Sequence, residues 1–284
     1  MEKGDEMKKR GIKQIVSGVH TQDGAGVKLI RVIGHANTGA FDPFLMLDAF
    51  DSENPEDYIK GFPWHPHRGI ETVTYLIEGE IEHGDSIGNK GTISSGSCQW
   101  MTAGKGIMHQ EKPQATPKMK GIQLWLNLPA KEKLVEAKYR DIFSKDIPEI
   151  VEAGIKVRLL SGTYKNIEGA LSPDYVKMTF MDISMEPNQT LEMEIKEKDN
   201  CFLYIISGEG NIAGGQFSSI REKQAILLSA GNFLNLLTKN QSMRLLLFAG
   251  EPLNEPIAWG GPIVMNTQEE LLKAFKDLEK GTFL

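Results

Sequence analysis

The chain is predicted to be all-β, of sandwich or barrel type, in two halves of similar topology. Three observations carry this. Short β-branched runs recur between glycine and Asn/Asp turns. Strands do not alternate with long helices, which disfavours a doubly wound sheet. Tyr75-Leu76-Ile77-Glu78-Gly79-Glu80 is echoed by Tyr204-Ile205-Ile206-Ser207-Gly208-Glu209 in the second half.

The expected strands are 27–33, 72–80, 81–83, 121–128 and 156–160, then 176–183, 202–207, 225–228 and 243–249. Val27–Ile33 (VKLIRVI) shows the pattern well, with β-branched residues in alternation. Residues 131–143 (KEKLVEAKYRDIF) read as a charged interdomain linker with a helical turn or two. Residues 267–280 (TQEELLKAFKDLEK) predict the one clear helix. Thr267 or Asn266 caps it, and Glu269 and Glu270 sit in its first turn. Leu271, Leu272, Phe275 and Leu278 form an apolar stripe, and Gly281 ends it.

A chain of 284 residues can bury a sizeable core. It is 40% hydrophobic and 25% charged, an ordinary globular balance. A net charge of −6 disfavours broad, direct nucleic-acid binding, which needs a basic face. No apolar run is long enough to span a bilayer, and residues 1–13 lack the apolar centre of a secretory signal. The expected location is a reducing compartment, the cytoplasm, or also the nucleus in a eukaryote. Cys98 and Cys201, distant and outside any CxxC pair, read as partly buried thiols.

The chemistry concentrates in two short runs. Trp64-His65-Pro66-His67-Arg68-Gly69 carries two histidines two apart; Gly104-Lys105-Gly106-Ile107-Met108-His109-Gln110-Glu111 carries a histidine and an acid two apart. Residues i and i+2 of a strand share a face, so two adjacent strands could aim four donors at one point. Imidazole with carboxylate suits a first-row divalent ion such as iron. Glu71, four after His67, is an alternative acid on the same predicted face. Arg68 is a candidate anchor for an anionic substrate, or else an ion-pair partner of an acid such as Glu71. Gln99, Trp100 and Thr102 are candidate pocket residues near His109. His20 and His35 read as surface or turn residues. His83, after a strand, reads as structural, with pocket lining as the second choice. All six histidines lie at or before His109, so the second half cannot build an imidazole site.

These motifs resemble the pirin family of the cupin superfamily. Residues 61–73 (GFPWHPHRGIETV) are similar to its first cupin motif, and 99–111 (QWMTAGKGIMHQE) to its second. DPFL at 42–45, GIQLWLNL at 121–128, AGEPL at 249–253 and GPIVMNT at 261–267 also match. The resemblance implies two tandem cupin (jelly-roll) β-barrels with a short C-terminal helix. A metal-binding barrel would span residues 10–140, and a barrel without ligands, carrying the helix, residues 141–284. It implies His65, His67, His109 and Glu111 as metal ligands, Glu111 being favoured over Glu71. Fe(II) is the first choice, while Mn, Co, Ni, Cu or Zn suit the same donors.

Two functions follow from the resemblance. One is a quercetin 2,3-dioxygenase-type oxygenase acting on a flavonol-like phenol, with Glu111 as catalytic base and Phe62, Trp64, Trp100 and Met101 as wall contacts. The other is a metal- or redox-dependent regulator that binds a transcription factor or a metabolic enzyme.

Overall fold

A computed structural model describes residues 7–213 and 219–284. The first six residues of the charged run 1–13 lie outside it. The chain forms two compact all-β units. One comprises residues up to Gly18 with Ile147–Pro252; the other comprises Val19–Asp146 with Leu253–Leu284. The two ends are therefore exchanged relative to a sequential division at residue 140. The C-terminal helix belongs with the histidine-bearing unit.

In that unit, a seven-stranded antiparallel sheet runs in the order Lys138–Ile142, Cys98–Thr102, Ile70–Glu78, Met119–Asn127, Phe44–Ser52, Val27–Ile33, Val19–Asp23. A four-stranded sheet has the order Phe62–His67, Ile107–Pro113, Glu80–Asp85, Lys90–Ser94. Alternation along these strands sends Leu29, Phe50, Leu76, Ile81, Ile93 and Met119 into one buried cluster. A second cluster contains Met46, Ile70, Met101, Ile107, Trp125 and Val264.

The helix spans Gln268–Glu279. The Thr267 hydroxyl accepts from the Glu270 N–H, and the Glu270 carboxylate accepts from the Thr267 N–H, a reciprocal capping box. Leu271 and Ala274 bury its apolar face beside Ile263, Met265 and Phe283.

Residues 131–143 differ from the linker predicted. A single 3-10 turn, Ala130–Glu132, leads into Lys138–Ile142, which pairs with Cys98–Thr102 as an edge strand. The run KYRDI alternates, placing Tyr139 and Asp141 on one face; its charge masked that period.

The other unit has no histidine. Its main sheet runs Ile12–Ser17, Gln224–Leu228, Asn200–Ile212, Met243–Gly250, Met178–Met185, Ile155–Ser161, Glu149–Glu152. Leu159, Met181, Leu203, Ile226, Leu245 and Leu247 are among its core. The repeat predicted from sequence falls on equivalent features: Gly79 follows one strand at φ +113°, and Gly208 bends another at φ +76°. Both cysteines are free and fully buried, and burial pushes both thiols up. No described helix is long and apolar enough to cross a membrane.

Candidate metal centre

The two histidine runs are neighbours in space because Phe62–His67 and Ile107–Pro113 pair antiparallel. His109 stands opposite His65, and Ile107 opposite His67. His65 and His67 are two apart and share a face, and His109 joins them from the next strand. One ligand atom from each of the three lies within 4.8 Å of the others. This is the one such group of three or more His, Cys, Asp or Glu among the described residues. His65 Nε2 and His67 Nε2 are 3.1 Å apart, and the His65 and His109 ring centroids are 4.3 Å apart.

The backbone orients two of the rings. His65 Nδ1 donates to the Pro63 carbonyl at 2.8 Å, and His67 Nδ1 to the Pro262 carbonyl at 3.1 Å. A proton held on Nδ1 leaves each Nε2 lone pair to face the centre. Both ring nitrogens of His109 are buried without a hydrogen-bond partner. Burial, then the neighbouring His65, pushes His67 down to about 3. Burial, with His67, His65 and His83 nearby, holds His109 well below the usual imidazole range. Neutral rings with converging lone pairs are what a divalent cation requires. The donor set and the unpartnered His109 nitrogens fit a metal ion.

Glu111 lies on the same strand as His109, past a register irregularity, and outside the three-imidazole group. Gln123 Nε2 donates to both of its carboxylate oxygens at 3.0 Å, and the Thr74 hydroxyl to one at 3.3 Å. Burial raises the Glu111 carboxyl, opposed by nearby His65 and by these donors. Glu71 takes a separate place. Gly69, at φ +78°, turns the chain between His67 and the next strand, so the two residues share no continuous strand. Glu71 is three residues from Thr74 on one strand and so faces the other way. It accepts from the Thr102 hydroxyl at 2.7 Å.

Beside the imidazoles opens a pocket of about 500 Å3, lined among others by Phe62, Trp64, His65, His67, Trp125 and Trp259. Trp100 and Met101, predicted as wall contacts, are fully buried and are not part of this lining. Thr102, three residues from Gln99, faces away from it along the strand. Trp125 and Trp259, which sequence spacing did not single out, take the wall position. Trp125 meets the His67 ring edge-on at 4.9 Å, and Trp259 stacks on His35 at 3.7 Å. His35 thus lines the pocket and is more than a turn residue. It opens a 3-10 turn just after the strand Val27–Ile33.

Arg68 is committed elsewhere. Its guanidinium pairs with Asp277 at 2.8 Å, donates to the Phe283 and Lys105 carbonyls, and lies over the Phe283 ring. It anchors the C-terminal segment, not a substrate and not Glu71. That segment brings Pro262 and Trp259 to the site.

Comparison with known proteins matches this architecture. A family profile described as Pirin matches residues 26–126, and one described as Pirin C-terminal cupin domain matches residues 180–284. A Pseudomonas aeruginosa protein named "Putative quercetin 2,3-dioxygenase" is 41% identical over 278 residues, 96% of this chain and 97% of that one. A Caulobacter vibrioides pirin-like protein is 39% identical, covering 96% of this chain and 99% of that one. A crystal structure titled quercetin 2,3-dioxygenase from Acinetobacter baumannii superposes with a TM-score of 0.87 at 31% identity, covering 96% of this chain and 98% of that one. A bacterial pirin of Escherichia coli in complex with nickel(II) shares the fold at 19% identity, with a TM-score of 0.65 over 84% of this chain and 98% of that one.

Proposed function

The chain belongs to the pirin family, and on that premise we propose that it is a mononuclear metal oxygenase of the quercetin 2,3-dioxygenase type, acting on a flavonol-like phenol. The observation that carries this reading is the convergence of three imidazoles beside an aromatic-walled pocket. Relatives with quercetin dioxygenase names at 41% and 31% identity support the reaction class.

In this reading His65, His67 and His109 hold the ion and Glu111 is the fourth ligand. Fe(II) is the first candidate, and Mn, Co, Ni, Cu or Zn suit the same donors. A bound ion would supply Lewis-acid and redox chemistry toward a phenol oxygen and dioxygen. Every other part falls to the side chains. Trp125 and Trp259 offer flat faces to a planar ring. Phe62 and the half-exposed Trp64 narrow the entrance and exclude water. Glu111, once free of the ion, takes the proton of the substrate hydroxyl. Gln123 and Thr74 aim its carboxylate and oppose the effect of burial by favouring the charged form.

The test is anaerobic loading with Fe(II), then quercetin and air. Loss of flavonol absorbance in the native chain, abolished in His65→Ala and Glu111→Ala, is the expected result. No turnover with any of the six metals would overturn the reading.

A further inference from the structure

The polar interior of the histidine-bearing unit does not end at Glu111. Strand register draws a transverse row across one face of the seven-stranded sheet. Asp141 stands opposite Gln99, Gln99 opposite Thr74, Thr74 opposite Gln123, Gln123 opposite Asp48, and Asp48 opposite Arg31. On the four-stranded sheet Glu111 stands opposite His83, and His83 opposite Gly91.

Half of this row satisfies itself. Arg31 pairs with Asp48 through two hydrogen bonds, and Gln123 and Thr74 hold Glu111. The other half does not. Both amide ends of Gln99, the Tyr139 hydroxyl, Asp141 Oδ1 and His83 Nδ1 are buried without a hydrogen-bond partner. His83 Nε2 is 3.3 Å from Asp141 Oδ2 but lacks the alignment of a hydrogen bond, and the His83 ring packs on Tyr139 at 4.5 Å. A buried polar group left unsatisfied is costly, so such a cluster is not tolerated without partners. Ordered water is the ordinary partner where two to four polar atoms converge.

We propose that Gln99, Tyr139, Asp141 and His83 form a second polar site beside Glu111, and that it holds a short chain of ordered water. Gly91 supports this independently. A Cβ there would come within 2.7 Å of His83 Nε2 and 2.9 Å of Asp141 Oδ2, so only glycine leaves the pair uncovered. Gly91 is on the last strand of one sheet, and Asp141 on the last strand of the other. The Asp141 side chain is 20% exposed at this edge, while that of His83 is 1% exposed. Asp141 therefore meets solvent where the two sheet edges approach, apart from the aromatic pocket. The site stands on geometry alone and does not depend on the oxygenase reading.

The test is a high-resolution crystal structure of the metal-loaded full chain, beside the Gln99→Leu/Tyr139→Phe variant. The native chain should show ordered water hydrogen-bonded to Gln99, Tyr139 or Asp141, and the variant should lose it. A dry interior, with Gln99 bonded directly to Tyr139 or Asp141, would overturn the proposal. Oxygen-17 relaxation dispersion in solution gives a second measure. Fewer long-lived internal waters in the variant than in the native chain supports the site; equal numbers refute it.

Discussion

Lys133 offers the sharpest stability test. Its side chain is buried, and Nζ donates to the Gly69 carbonyl at 2.8 Å, the Val264 carbonyl at 2.9 Å and the Asn127 side-chain oxygen. These acceptors sit on the turn after His67, the end of a central strand, and the C-terminal segment. In Lys133→Met the chain keeps its length but loses three donors. At about 1–1.5 kcal/mol each, less about 1 kcal/mol for the apolar replacement, the loss is about 2–4 kcal/mol. In a unit of this size that lowers Tm by about 5–15 °C, measured by thermal denaturation. The dependence on pH is equally specific. Burial pushes the amine down to about 7, below its unfolded value of about 10.4. Between these values the unfolded chain binds the extra proton, so the native chain gains stability as pH rises from 7 toward 10. Lys133→Met lacks this gain, and the gap between the two widens by up to about 1.4 kcal/mol per pH unit in that window. Below pH 7 the gap is constant. A Tm unchanged by the substitution would refute the clamp. A gap that stays flat from pH 7 to 10 would show that the three oxygens hold the ammonium charged.

Three further outcomes follow from the site. Asp277→Asn removes the carboxylate from Arg68, whose side chain is only 9% exposed; it should lower Tm and weaken metal binding about 10-fold through the displaced C-terminal segment, by thermal denaturation and metal titration. Unchanged affinity would separate that segment from the site. Gln123→Leu removes the donor that favours ionised Glu111. The carboxyl should rise, and the acid limb of the pH–rate profile should move to higher pH; an unmoved limb would remove Glu111 as base. Trp259→Ala should raise the KM for quercetin about 5–10-fold with little change in kcat, since stacking acts on ground and transition states alike. A fall in kcat at constant KM would contradict the wall role.

The imidazole triad was legible because its spacing is local: His65 and His67 share a face in any strand, and His109 needed only one strand pairing. The C-terminal helix was equally legible, since Thr267, Glu270 and the Leu271–Leu278 stripe are a local code. Trp259 and Pro262 were not. They reach the site only because residues after 252 return to the first barrel, a long-range event that no periodicity records. Tyr139 and Asp141 were hidden for a different reason. Their alternation lies within a charged run, and a charged run reads as solvent-exposed. His83 looked structural because its partners, Tyr139 and Asp141, come from that misread strand.

Metal analysis of the purified chain tests the central claim most directly. One transition-metal ion per chain is expected, lost in His65→Ala, His67→Ala and His109→Ala and retained in His83→Ala. A native chain that takes up no such ion, or histidine variants that bind it as well as the native chain, would contradict the account.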